Sequence, residues 1–65
     1  MDIEIKGIDA DSNPCYHFYN DYESDQYIEV VVSPKNVVIR WLDQEGNAVE
    51  TYEHNMDFIE EMSII

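Results

Sequence analysis

The sequence predicts an α+β domain: a small antiparallel sheet of three to five strands, with a central meander over residues 27–53, and one short C-terminal helix over 56–63. Three observations carry this reading. Tyr27 to Ser33 (YIEVVVS) and Val37 to Leu42 (VVIRWL) are dense in the β-branched and aromatic residues that strands favour. The segment Asp43-Gln44-Glu45-Gly46-Asn47 opens on Asp and nears its end on Gly, which fits a type I turn followed by a bulge residue at positive φ. Phe58, Ile59 and Met62 then change the period to i, i+1 and i+4, a helical stripe that Ile65 continues.

The elements follow in chain order. Asp2-Ile3-Glu4-Ile5-Lys6 alternates polar and apolar residues and reads as a half-buried strand. Gly7 to Pro14 is rich in turn formers. Cys15 to Tyr22 is aromatic and fits either a strand or an irregular binding loop. Tyr16, Phe18 and Tyr22 share one parity there, and Cys15, His17 and Tyr19 the other. Asp21 to Gln26 is an acidic loop. Ser33-Pro34-Lys35-Asn36 makes a tight hairpin, because proline presets φ for a turn. Ala48 to Glu53 is the returning strand of the meander. Asn55 is placed to cap the predicted helix, with Asp57 in the first turn, where the helix dipole favours negative charge. Such a short helix is unstable alone, so its apolar stripe must dock on the sheet.

Sixty-five residues make one domain, 1–65, and a domain of this size is marginal. A homodimer or a tight partner would add buried surface. The hydrophobic content of 45% and five tyrosines exclude a disordered acidic tail. Fifteen Asp and Glu against three Lys and Arg give a net charge of -12. Like charges at that density weaken the compact state. The charge suits either a highly soluble or halophilic protein or a surface built to meet cations. Anionic lipid and nucleic acid would both be repelled, so neither membrane nor direct nucleic-acid binding is expected.

Few residues suggest chemistry. Asp9-Ala10-Asp11-Ser12-Asn13 starts like a calcium loop but has Pro14 where the loop needs Gly and Asn20 where it needs Glu. An Asx-rich turn is the simpler reading. Cys15, His17 and His54 plus an acid make the four ligands of a structural zinc site only as a numerical possibility. Cys15 is expected to pack as a small hydrophobe, with both histidines at the surface. A lone cysteine excludes an internal disulfide and fits a reducing compartment. Only Gly7 and Gly46 are glycines, so no phosphate-cradling loop exists. No enzyme activity, catalytic residue, metal or cofactor is expected. Trp41 reads as core, with an exposed binding patch as the alternative.

The acids themselves remain. Alternate residues of a strand stand about 6.6–6.8 Å apart on one face, close to the phosphate spacing of a nucleic-acid strand. Glu29 beside Tyr27 and Glu50 beside Tyr52 have that spacing, as do Asp21, Glu23 and Asp25. Tyr19, Tyr22 and Tyr27 interleave with them and can bury area or stack on arginines. Tyr19, Asp21, Tyr22, Glu23, Asp25, Tyr27, Glu29 and Glu50, with Asp43 and Glu45 of the second turn, form the expected partner-binding set, divided between a stretch over 16–29 and a hairpin edge over 43–53.

Short length, acidity and mixed structure together resemble phage-encoded inhibitors of the anti-CRISPR type, which mimic nucleic acid. A narrower likeness joins Tyr22-Glu23-Ser24-Asp25 and the strands and turn from Ile28 to Tyr52 to the later strands of uracil-DNA glycosylase inhibitors. These resemblances imply a basic nucleic-acid-binding protein as partner, either a CRISPR effector or a DNA-repair enzyme, met in the cytoplasm of a bacterial host. An immunity-type or phage-assembly module without nucleic-acid mimicry is the alternative from another class.

Overall fold

The computed structural model describes all residues, Met1–Ile65, and corrects the predicted class. The fold is all-β: six strands in two three-stranded antiparallel sheets, with a single 3-10 turn and no α-helix. The strands are β1 (Asp2–Ile8), β2 (Pro14–Asn20), β3 (Tyr27–Val32), β4 (Asn36–Leu42), β5 (Ala48–Asn55) and β6 (Ile59–Ile64). One sheet has the order β2-β1-β6 and the other is the meander β3-β4-β5.

The predicted helix over 56–63 is replaced by the 3-10 turn Met56–Phe58 followed by β6. Asn55 does cap, since its side chain accepts from the Asp57 backbone N–H at 2.9 Å. The helical spacing has another origin. β6 pairs Ile59 with Gly7 and Glu61 with Lys6, so the ladder slips by one residue between Lys6 and Gly7. An extra residue in a bulge inverts the alternation of a strand. Ile59 and Met62, three apart, therefore both reach the core. Pairing with β6 also completes a three-stranded sheet, which a hairpin of β1 and β2 alone could not make stable.

Gly7, read as the start of a turn, sits inside β1 at this bulge. A Cβ there would collide with the Phe58 carbonyl oxygen and stand 2.9 Å from its carbon. Glycine is required because two backbones approach closely.

The inner faces of the two sheets pack together. Ile3 and Ile5 from β1 meet Ile28, Val37 and Ile39 from β3 and β4, with Tyr19, Val30, Trp41, Met56, Ile59 and Met62 packed around them. Only six residues are fully buried, and none is polar or charged. The core is thin, and no charged residue is fully buried.

Two connections share one design. Asp9 N–H donates to the Asn13 carbonyl at 2.9 Å, and Asp43 N–H donates to that of Asn47 at 2.9 Å. The Oδ1 atoms of Asp9 and Asp43 each accept two backbone N–H groups, from Asp11 and Asn13 and from Glu45 and Asn47 respectively, all at 2.9 Å. The fourth residue is left-handed in both: Ser12 at φ 65° and Gly46 at φ 89°. The calcium-like string is thus an Asx-type turn that joins β1 to β2.

Candidate functional site

The acidic set divides once its positions are known. β2 ends at Asn20, paired with Asp2, and β3 begins at Tyr27, paired with Leu42. The loop 21–26 and the turn 43–47 therefore flank the Tyr27–Leu42 pair at one end of the sandwich. The two stretches read separately in the sequence become neighbours. This end carries Asp21, Glu23, Asp25, Asp43 and Glu45, together with Tyr22 and Tyr27, whose side chains are 65% and 47% exposed.

These residues have different duties. Asp21 accepts from the Met1 amino group at 3.2 Å and from the Ile28 N–H at 3.4 Å. The amino group's hydrogen bond holds its carboxyl below the ordinary carboxylate range. Asp43 is occupied in building its turn. Glu23, Asp25 and Glu45 are exposed and make no side-chain hydrogen bond or ion pair. Glu29 lies on the outer face of the meander, paired with Arg40 across β3 and β4. Tyr22 ionises less readily than a free phenol, chiefly because the charge of Asp2 is near. Of all fifteen carboxylates, only Asp21 and Glu29 have a cationic partner within 4.0 Å.

Tyr19 and Glu50 belong to a second feature. The registers place Cys15, His17 and Tyr19 of β2 on the face of Ile3 and Ile5. Glu50, Tyr52 and His54 of β5 lie opposite Trp41, Ile39 and Val37. The edges β2 and β5 meet across the sandwich and enclose an open groove of about 720 Å³. Aromatic rings line it. Tyr19, Trp41 and Tyr52 form a mutual triad with centroids 5.4–5.6 Å apart.

The histidines close the far part of this groove. His17 and His54 face each other at 4.7 Å between ring centroids. The Tyr19 hydroxyl and His54 Nε2 are 2.7 Å apart, and Cys15 Sγ lies 3.1 Å from His17 Nε2. Desolvation, then the proximity of His17, lowers the His54 pKa below its ordinary 6.5. Desolvation foremost raises that of Tyr19. A neutral His54 accepting from the Tyr19 hydroxyl fits both directions.

The histidines are therefore half-buried between the sheets, not at the surface as the sequence suggested. Trp41 is both core and lining, since it packs on the buried cluster and borders the groove. Sequence reasoning missed His17, Trp41, Tyr52 and His54 as a group. The signal was present in the alternations Cys15-His17-Tyr19 and Glu50-Tyr52-His54, which become adjacent only when the sheets stack. No group of three or more His, Cys, Asp or Glu side chains is arranged to hold a metal ion.

Comparison with protein families, characterised proteins and solved structures finds no match to this chain.

Proposed function

We propose that this chain is an acidic inhibitor that docks on the basic nucleic-acid-binding site of a host defence or repair enzyme, first of all a CRISPR effector. The observation that carries the reading is the acidic end. Glu23, Asp25 and Glu45 project there beside Tyr22 and Tyr27; Lys6 and Lys35 lie elsewhere, and the nearby cations, the Met1 amino group and Arg40, are paired with Asp21 and Glu29. Carboxylates held on a rigid frame can take the places of phosphates against arginine and lysine. The unneutralised field speeds encounter with a cationic cleft. The exposed phenol rings add apolar area and faces on which guanidinium groups stack. A uracil-DNA glycosylase is the second target within the same class.

The test is competition. An effector–guide complex is titrated with this protein while binding of target DNA is followed, at 50 and 300 mM salt. Inhibition is expected to fall as DNA is raised, and the association rate to drop about tenfold or more at the higher salt. Reversing Glu23, Asp25 and Glu45 together to Lys should abolish inhibition with an unchanged circular dichroism spectrum. Asp21 and Asp43 are left intact, because they hold the loop and the turn. Salt-independent inhibition, or a folded triple variant that still inhibits, would refute mimicry.

A further inference from the structure

We infer that the groove between β2 and β5 is a second recognition site, which seats an extended, arginine-bearing segment of the basic partner along the free edge of β2. Two independent features meet there. The first is the edge itself. A sheet edge presents unpaired N–H and C=O groups, and proteins guard such edges with charge. Of the four edge strands, β3 carries Glu29, β5 carries Glu50 and Glu53, and β6 carries Glu60 and Glu61. β2, Pro14–Asn20, carries no Asp, Glu, Lys or Arg at all. It is the edge on which another strand can add at least cost.

The second feature is the lining. A strand laid on β2 would run beside the rings of Tyr19, Trp41 and Tyr52, with the Glu50 carboxylate on the opposite wall. Tyr52 keeps 43% of its surface exposed, so its ring is open to a ligand. An aromatic face next to a carboxylate suits guanidinium better than ammonium, because the flat cation can stack and hydrogen-bond at once. The alternation of a strand would send every second side chain of the ligand toward these rings. A second copy of this chain is a poorer occupant, since it would bring another net charge of -12 to an acidic wall. That the segment comes from a basic partner rests on the function proposed above.

Trp41 is the only tryptophan and borders the groove, so its fluorescence, read with the circular dichroism spectrum unchanged, reports on occupancy there. The probes are a short peptide alternating threonine and arginine and its lysine twin. The arginine peptide is expected to change Trp41 emission saturably and to bind roughly two- to five-fold tighter than the lysine peptide. Tyr52→Ala should erase that preference, and Glu50→Gln should weaken both peptides without affecting the fold. No saturable change overturns the proposal. So does equal binding of both peptides that Tyr52→Ala leaves untouched, which would mark a general charge field. Sedimentation showing that two copies occupy the groove overturns it as well. Competition at the effector is read separately: if the peptides fail while inhibition persists, the groove site falls and mimicry stands. If the peptides bind while inhibition is absent, mimicry falls and the groove site stands.

Discussion

At the scale of single residues, the two Asx turns set up a natural comparison. The same hairpin geometry is closed by Ser12 in one turn and Gly46 in the other, both left-handed. A side chain in that region costs roughly 1–2 kcal/mol, and glycine gives back about 0.5–1 kcal/mol through its greater freedom when unfolded. Ser12 is exposed and its side chain makes no hydrogen bond. Ser12→Gly should therefore stabilise the domain by about 0.5–1 kcal/mol, a rise in melting temperature of roughly 3–6 °C. The reverse change, Gly46→Ser, should lower it by a similar amount, since nothing else lies within 4 Å of that position. Both turns were legible as turns from Asp, Ser, Gly and Asn. That they are one motif was not, because serine does not announce a positive φ.

At the scale of elements, legibility followed the ratio of local to long-range information. β3, β4 and β5 could be read directly, since their β-branched runs and their turns agree with each other. β6 could not. Its Ile59–Met62 spacing is helical on paper, and only the bulge against β1 turns it into a strand pattern. The two ends of that pairing are 52 residues apart, so no local window contains the cause. The groove was hidden for the same reason: β2 and β5 lie in different sheets. Gly7 is the test of the bulge. Gly7→Ala would force the β6 backbone away at Phe58 and Ile59. A loss of about 1–3 kcal/mol is expected, as for other overpacked sites, read as a lower urea midpoint. Because the turn Met56–Phe58 is tied to the Lys35 carbonyl through the Met56 N–H at 2.9 Å, amide exchange should quicken there too. An unchanged midpoint would mean that the bulge is not rigid.

At the scale of the whole molecule, charge and core are in opposition. Six buried residues support a chain with a net charge of -12. The body measures 38 × 21 × 18 Å. At 0.01 M salt the screening length is roughly 30 Å, longer than both short axes, so each carboxylate feels most of the others. At 0.15 M it contracts to about 8 Å and only neighbours interact. Sodium chloride should accordingly stabilise this domain, where a surface rich in ion pairs would be weakened. Between those two concentrations the melting temperature is expected to rise by about 5 °C, equivalent to roughly 1 kcal/mol. Chloride is the anion to use, because sulfate strengthens burial of apolar surface by a separate route. The variant with Glu23, Asp25 and Glu45 changed to Lys should melt higher at low salt and respond less to it. A melting temperature independent of salt would show that the carboxylates stand too far apart to repel. The repulsion also bears on the function proposed above: a basic partner would remove it on docking, and that relief would add to the affinity of the complex. On that proposal the acidic end is a liability that the thin core tolerates in isolation and that binding would convert into stability.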